Sequence, residues 1–173
     1  LILALIGGAG DTFDRGSAIA VPVLALAATL AGFFNARRLA RVVEVEVPIP
    51  GLPKSLQGYS IAQISDVHIG PTIKRSYLEA IVARVNGLKP DAIAITGDLV
   101  DGSVKRLSAH TAPLARLSAP DGTFFVTGNH EYYSGAHEWI AEMRRLGLTV
   151  LINEHVVRER DGEGVMIAGV TDY

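Results

Sequence analysis

The chain has 173 residues, a formal net charge of −2 and no cysteine, and 49% of its residues are hydrophobic. This length allows one modest domain plus an appendage, and the near-neutral charge gives no support to nucleic-acid binding, which needs a clustered basic surface. The absence of cysteine excludes disulfides, thiolate nucleophiles and cysteine-based zinc sites, so any metal must bind through nitrogen and oxygen ligands.

An uncharged apolar stretch near the N-terminus predicts a membrane-spanning helix. Residues 18–34 carry no charge and only Thr29 among them is polar, which meets the lower limit of the about 17–25 residues that cross a bilayer. Arg37, Arg38 and Arg41 follow, as expected where a span meets the membrane surface. A buried core helix is the alternative, and a cleaved signal peptide is less favoured because no basic region precedes the stretch.

The charges that flank this segment predict its orientation. Three arginines follow it, whereas Asp11, Asp14 and Arg15 precede it, so the positive-inside rule places the rest of the chain in the cytoplasm. Residues 1–6 are also apolar and fit the end of an earlier span. Because no methionine opens the chain, we expect that further residues precede it. The membrane segment is assigned to residues 1–41.

A linker follows the membrane segment over residues 42–57. Residues 42–47 alternate valine and glutamate (VVEVEV), a pattern typical of a half-exposed strand. Three prolines and two glycines between residues 48 and 58 then interrupt the chain. We therefore expect the globular part to occupy residues 58–173.

The globular part alternates strand and helix patterns. Strands are predicted over residues 59–65, 91–96, 123–127, 148–152 and 165–170. Helices are predicted over residues 74–88, 104–117 and 135–146. Pro113 is expected to break or kink the second of these helices. Such alternation implies an α/β fold with a layered sheet.

Residues whose side chains can bind a metal or transfer a proton, together with glycines, follow each of the first three predicted strands. They are Asp66 and His68 after the first, Gly97 and Asp98 after the second, and Gly128, Asn129, His130 and Glu131 after the third. The carboxyl ends of strands form the ligand crevice of open α/β sheets, so these residues are expected to meet at one edge. Asp66 and His68 are two residues apart and are expected to share a face of an extended strand end. Gly97 and Gly128 allow tight turns before the residues that follow them.

Taken singly, each of these clusters is explained by a helix cap or a turn. Together they place two aspartates, two histidines and an asparagine at three successive strand ends, with no lysine or arginine among them. Carboxylates that pack together repel one another unless they are protonated or bind a cation. The combined pattern therefore favours a metal site.

In their order and their residues, these motifs resemble those of the calcineurin-like metallophosphoesterases. The segments that carry the resemblance read ISDVHIG, TGDLVDG and VTGNHEYY, and they are most similar to the membrane-associated bacterial branch of that superfamily. The resemblance covers about residues 57–173. It implies the layered α/β phosphoesterase sheet, present here as its N-terminal part and preceded by a transmembrane helix.

The resemblance also implies a role for each matching residue. Asp66 and His68 would bind the first of two divalent metal ions, Asp98 would bridge both, and Asn129 would bind the second. His130 would lie beside the metals and stabilise the transition state or protonate the leaving group. A metal-activated hydroxide would hydrolyse a phosphomonoester, a phosphodiester or a pyrophosphate, and Mn, Fe and Zn all suit such ligands. Supporting or turn-forming roles are assigned to Asp101, Glu131 and Tyr132.

The sequence departs from the family pattern in its distal half. Enzymes of the family draw further ligands from a later histidine and a Gly-His-x-His motif, and this sequence contains no Gly-His dipeptide. The later histidines are His137, within a predicted helix, and His155, in a predicted polar turn. We therefore expect a protein cut short at both ends, which binds metal weakly and turns over little by itself.

Two other function classes fit parts of the sequence. A non-catalytic, membrane-anchored binding module on a phosphoesterase-like fold would tolerate the loss of ligand positions, yet every visible position is intact. A Rossmann-type nucleotide binder would carry its glycine fingerprint after the first strand, where Asp66-Val67-His68 stands instead. The expected partners are the membrane and a phosphate-ester substrate, with lipid-linked phosphates as candidates because of the membrane segment.

Overall fold

A computed structural model of the protein describes residues 2–172, with side chains described from Gly16 onward. The chain divides into two compact units, Leu1–Arg38 and Leu39–Tyr173. The first is one long helix, and the second holds all the strands found in the described residues.

The first unit is helix α1, Ile2–Ala36. Its segment Gly16–Ala36 is long and apolar enough to cross a membrane, and none of that segment is buried among the described residues. The alternative of a buried core helix therefore finds no support, and the segment contains the predicted span of residues 18–34. Pro22 lies inside the helix, as membrane helices tolerate. Residues 1–6, predicted as the end of an earlier span, lie outside the residues whose side chains the structure describes.

Four parallel strands form the main sheet of the second unit, in the order β1-β2-β3-β4. They are β1 (Ile61–Ile64), β2 (Ala92–Thr96), β3 (Thr123–Val126) and β4 (Thr149–Val150). Each lies within a predicted strand and is shorter than predicted. Helices connect the parallel neighbours, as such pairs require, and the predicted α/β fold is confirmed.

Four helices accompany this sheet. They are α2 (Arg75–Leu88), α3 (Val104–Thr111), α4 (Asn129–Ser134) and α5 (Ala136–Arg145). The chain leaves α3 as a 3-10 turn, Ala112–Arg116, with Pro113 in its first turn, so the predicted helix over residues 104–117 is interrupted where proline removes a backbone donor. Helix α4 was not predicted. It is separated from α5 by Gly135, whose φ of 98° ends one helix and begins the next.

The core forms where the helices cover the sheet. The spacing in α2 predicts an apolar face of five residues, and the helix buries four of them, Leu78, Ile81, Val82 and Val85. The fifth, Leu88, ends the helix and is exposed. From α5, Trp139 and Met143 are fully buried beside Phe125 of β3. The Trp139 indole N–H donates to the Gly102 carbonyl at 2.9 Å. This bond ties α5 to the loop after β2, so the core reaches the edge of the sheet at which the polar residues lie.

A two-stranded antiparallel hairpin follows the main sheet. It consists of β5 (Glu154–Arg160) and β6 (Glu163–Gly169). Asp161 and Gly162 connect the strands with φ angles of 52° and 83°, the conformation of a type I′ turn. Strand β5 was not predicted, and the expectation of a polar turn at His155 is wrong, because that residue pairs within β5. The mostly polar strand has little hydrophobic alternation, so pairing with β6 defines it.

The linker lacks the strand predicted over residues 42–47. No strand among the described residues pairs with this segment, and Val43 and Val45 are largely exposed. An alternating pattern alone does not make a strand, since its backbone groups need a neighbouring strand to bond. The linker contains one 3-10 turn, Lys54–Leu56, and buries Leu56.

Candidate metal centre

The loops that follow β1 and β2 run side by side beyond the end of the sheet. The His68 N–H donates to the Asp98 carbonyl at 3.1 Å, and the Ile69 N–H donates to the Leu99 carbonyl at 2.8 Å. The loop after β3 joins them because the His130 N–H donates to Asp98 Oδ1 at 3.0 Å. The candidate residues from all three strand ends are thus brought together at the carboxyl edge of the sheet.

Three of the candidate ligands have left-handed backbone conformations. The φ angles are 54° at Asp66, 51° at His68 and 51° at Asp98, which is uncommon for residues other than glycine and tends to cluster at functional sites. The expectation that Asp66 and His68 share a face of an extended strand end is therefore wrong, since β1 ends at Ile64. Their side chains still converge, with His68 Nε2 4.0 Å from Asp66 Oδ1.

Two glycines allow the loops after β2 and β3 to touch. Gly97 has a φ of 86°, and a Cβ placed on it would collide with the backbone of Gly128. A Cβ on Gly128 would collide with the carboxylate of Asp98. Gly128 has a φ of −94°, so close approach, and not the tight turn that was expected, is what requires glycine there.

Asp66, His68 and Asp98 form a compact set of metal-binding groups. Each offers one ligand atom, and the three atoms all lie within 4.8 Å of one another. The hydroxyl of Ser65 donates to the Asp66 carboxylate and helps to orient it. Two carboxylates and one imidazole make a donor set that suits Mn, Fe or Zn. The residues present therefore fit a divalent cation.

Asn129 lies against Asp98 at the start of α4. With its amide oriented for hydrogen bonding, Asn129 Nδ2 donates to Asp98 Oδ1 at 2.9 Å and to Oδ2 at 3.1 Å. A cation held by Asp98 would attract the amide oxygen of Asn129 instead, since that oxygen is a neutral ligand. Asn129 is therefore positioned to extend the ligand set.

Asp101 joins the two histidines of the site. Its Oδ1 lies 3.1 Å from His68 Nδ1 and 2.5 Å from His130 Nδ1, and the two imidazole centroids are 4.5 Å apart. Burial works against ionisation of Asp101, but the hydrogen bonds with His68 and His130 outweigh it and lower its pKa. The bond to Asp101 in turn raises the pKa of His130. Sequence reasoning gave Asp101 only a supporting role, because nothing in a spacing of three residues from Asp98 shows that it reaches both imidazoles.

Glu131 holds the loops after β2 and β3 together from beneath. Its carboxylate is fully buried and accepts the backbone N–H groups of Gly128 at 2.7 Å, Leu99 at 2.8 Å and Asp98 at 3.0 Å. Burial raises the pKa of Glu131, and these backbone donors counter part of that shift. The residue is part of the framework of the site. It belongs neither to the set of Asp66, His68 and Asp98 nor to a second set of possible ligand atoms, from His68, Asp101 and His130.

The other residues considered from the sequence lie away from the ligand atoms. The Tyr132 hydroxyl accepts a hydrogen bond from Thr127 at 3.5 Å. His137 lies on α5 and His155 on β5. Among the described residues, neither histidine contributes to the clusters of possible ligand atoms.

Comparisons of the sequence with a family model and with curated proteins point to one protein family. The family model described as calcineurin-like phosphoesterase matches residues 59–164. A transmembrane protein with a metallophosphoesterase domain from Danio rerio is 40% identical over 162 residues, covering 91% of this chain and 37% of the relative. The protein of the same description from Bos taurus is 38% identical, with 96% and 40% covered. An uncharacterised metallophosphoesterase of Campylobacter jejuni is 32% identical, with 99% and 46% covered. The chain spans less than half the length of these relatives.

Proposed function

Because the chain belongs to the calcineurin-like phosphoesterase family, we propose that it hydrolyses a phosphomonoester, a phosphodiester or a pyrophosphate at a centre of two divalent metal ions. The observation that carries this proposal is the convergence of Asp66, His68 and Asp98, whose ligand atoms lie within 4.8 Å of one another. The side chain of Asn129 and the backbone N–H of His130 both contact the Asp98 carboxylate, which supports a common site for these residues.

The side chains divide the work of binding metal. Asp66 and His68 would hold the first ion, Asp98 would serve both ions, and Asn129 would offer its amide oxygen to the second. Bound divalent ions would neutralise charge on the phosphate and lower the pKa of a water molecule. The Nδ1 atom of His68 contacts Asp101, so its proton is directed there and Nε2 is left free as the ligand atom, the usual arrangement for a metal-binding histidine.

His130 acts on the leaving group in this proposal. Its Nδ1 contacts Asp101 at 2.5 Å, which holds the imidazole in one orientation and leaves Nε2 to deliver a proton to the departing oxygen. The negative charge of Asp101 stabilises the protonated ring before that transfer. Asp101 is thus a positioning residue shared by the ligand His68 and the acid His130.

Metal content and turnover separate the two roles. In the full-length protein, we expect Asp98→Ala to lose both metal and activity, because one carboxylate would serve both ions. His130→Ala is expected to keep most of its metal and to lose about 10²–10⁴-fold in kcat, the usual contribution of a general acid. The measurement is elemental analysis of the purified protein beside phosphate release with added Mn²⁺, Fe²⁺ or Zn²⁺. The matched control is His155→Ala, which removes an exposed imidazole on β5.

Three results would contradict this assignment. Loss of metal from the His130 variant would make that residue a ligand. Full activity in the Asp98 variant would place the site elsewhere. Metal binding by the full-length protein without hydrolysis of any phosphate ester would favour a non-catalytic, membrane-anchored binding module.

The apolar helix α1 suggests where the catalytic domain lies and which substrates it meets. We propose that the catalytic domain lies on the cytoplasmic side, because Arg37, Arg38 and Arg41 follow the span, and that lipid-linked phosphates are among its substrates. A substrate panel with lipid phosphates in mixed micelles and soluble phosphodiesters tests the second point. Hydrolysis of the soluble esters without any lipid phosphate would refute it.

A further inference from the structure

A cleft of about 300 Å³ opens directly beside the candidate metal centre. It lies between the loop after β1, at Gly70, and the loop after β2, at Asp101 and Gly102. Lys74, at the start of α2, and Arg106, in the first turn of α3, complete its charged lining. None of the roles proposed for the metal centre uses either of these cations.

Both cations are free to bind an anion. Lys74 and Arg106 are exposed, and among the described residues neither forms an ion pair. The neighbouring basic side chain behaves differently, since Arg75 pairs with Glu79 at 3.0 Å. The one carboxylate in the described lining belongs to Asp101, which is already engaged by both histidines of the centre. The cleft is therefore lined by two cationic side chains, neither of which is paired with a carboxylate among the described residues.

The two helix starts strengthen this field. Lys74 is the N-cap of α2, Ser103 is the N-cap of α3, and neither forms a side-chain capping bond. The first-turn N–H groups of a helix carry partial positive charge and favour an anion nearby. This effect adds to the charge of Lys74 and Arg106, which is the larger contribution.

Asp101 makes the cleft continuous with the reacting groups. The same carboxylate lines the cleft and contacts His68 and His130. Gly70, which also lines the cleft, packs closely against Asp101, since a Cβ on it would lie 3.1 Å from the Asp101 Cβ. A substrate whose reacting phosphate lies at the centre would therefore extend its next group toward Lys74 and Arg106.

We propose that this cleft binds a second phosphate group of the substrate, so that the favoured substrates are pyrophosphates and compounds with two phosphates a few bonds apart. This inference rests on the proposed phosphoesterase function and narrows its substrate class. A guanidinium binds phosphate oxygens through two parallel hydrogen bonds, and an ammonium adds a compact charge. Two cations match the charge of a phosphate group better than that of a single carboxylate.

The kinetic test compares a substrate that has two phosphates with one that has a single phosphate. The full-length protein is purified in detergent, and phosphate release is measured from inorganic pyrophosphate and from p-nitrophenyl phosphate. We expect the double variant Lys74→Ala/Arg106→Ala to lose about 10–100-fold in kcat/KM on pyrophosphate, mainly through KM, because it loses two charged contacts. On p-nitrophenyl phosphate we expect a change of less than about threefold. The variant Lys74→Arg/Arg106→Lys should recover most of the loss.

The matched control is Lys105→Ala, which removes an exposed cation of α3 that does not line the cleft. It should leave both substrates unaffected. Equal effects of the double variant on both substrates, or no effect on either, would overturn the cleft assignment. So would a pyrophosphate loss in Lys105→Ala as large as that in the double variant.

A binding measurement keeps this inference separate from the proposed function. Calorimetry on the metal-free protein measures the binding of methylenediphosphonate to the cleft without any catalysis. The double variant should bind about tenfold or more weakly than the unchanged protein, and Lys105→Ala should bind as the unchanged protein does. This result, together with no hydrolysis of any ester, would reject the phosphoesterase function and keep the anion cleft. Equal binding by all variants would reject the cleft.

Discussion

The buried carboxylate of Glu131 shows how one side chain orders a site through backbone hydrogen bonds, without contributing a ligand atom itself. Its oxygens accept three backbone N–H groups, from Asp98, Leu99 and Gly128. These groups belong to the loops after β2 and β3, so a single side chain fixes the loops that present Asp98 and Asn129. A buried carboxylate that is fully hydrogen-bonded in this way is costly to disturb, because its partners lose their acceptor when it changes.

We predict that Glu131→Gln lowers the free energy of unfolding by about 2–3 kcal/mol. The substitution keeps one acceptor oxygen but directs an NH₂ group at backbone N–H donors that then have no acceptor. Urea unfolding measures the stability, and elemental analysis measures whether the looser loops bind less metal. Glu163→Gln, on the exposed first residue of β6, serves as the control. A Glu131 variant as stable as the control would remove the framework role of this residue.

At the scale of elements, the hairpin β5–β6 is fastened to the main sheet through Arg160. Its Nη2 lies 2.6 Å from Asp91 Oδ1 and 3.8 Å from Asp121 Oδ2, and its guanidinium lies 5.0 Å from the Tyr59 ring centroid. Tyr59 in turn donates to Asp121 at 2.7 Å, and burial, with this bond, raises the pKa of its hydroxyl. The segment before β1, the residue before β2 and the loop before β3 thus all contact one side chain of the hairpin.

Asp91 makes this attachment dependent on pH. Burial works against its ionisation, but hydrogen bonds from the Ser60 N–H, from Arg160 and from the Ser60 hydroxyl outweigh burial and lower its pKa. A carboxyl whose pKa is lowered by folding stabilises the folded state at pH values above its ordinary pKa of 3.8. That contribution is lost as the pH falls through the folded-state pKa.

We predict that Asp91→Asn lowers the free energy of unfolding by about 1–2 kcal/mol at pH 7, a value reduced for partial exposure of the pair. The difference from the unchanged protein should shrink as the pH falls below about 4 and through the lowered folded-state pKa, because the Asp91 carboxyl then becomes neutral, as the amide of the variant already is. Urea unfolding between pH 7 and pH 3 measures this. Glu159→Gln, which removes an exposed carboxylate of β5, should show no such pattern. A constant difference at every pH would rule out the linkage.

At the scale of the whole molecule, one apolar helix and one α/β domain occur in a single chain. The helix segment Gly16–Ala36 exposes apolar side chains on all sides, among them Val21, Leu24 and Phe34. A helix that is apolar all round needs a protein core or a membrane to cover it. Relatives described as transmembrane proteins with a metallophosphoesterase domain agree with the membrane as that cover.

The proposed cytoplasmic location of the domain can be tested by labelling one introduced cysteine, because the sequence has no cysteine of its own. We predict that Ala109→Cys, at an exposed position of α3, is not labelled by a membrane-impermeant maleimide in intact cells and is labelled once the cells are permeabilised. The reason is the arginine group that follows the span, which the positive-inside rule retains in the cytoplasm. The unchanged protein is the control for background. Labelling in intact cells would place the domain outside.

Much of the fold follows from local sequence patterns. The spacing of Leu78, Ile81, Val82 and Val85 identifies the buried face of α2, and short apolar runs identify the four parallel strands. The motifs after the first three strands identify the family, since parallel strands bring their carboxyl ends to the same edge. These features were predictable because each depends on residues close together in the chain.

Other features depend on contacts that only the tertiary structure decides. Residues 42–47 have a strand pattern but no partner strand, whereas β5 has a weak pattern and pairs with β6. Asp101 reaches both His68 and His130, and Lys74 and Arg106 line one cleft although 31 positions separate them in the sequence. The left-handed turns at the ligand positions and the order of the sheet determine which of these side chains meet. Local periodicity carries no information about such distances, because it records which face of an element is buried and not which neighbours that face meets.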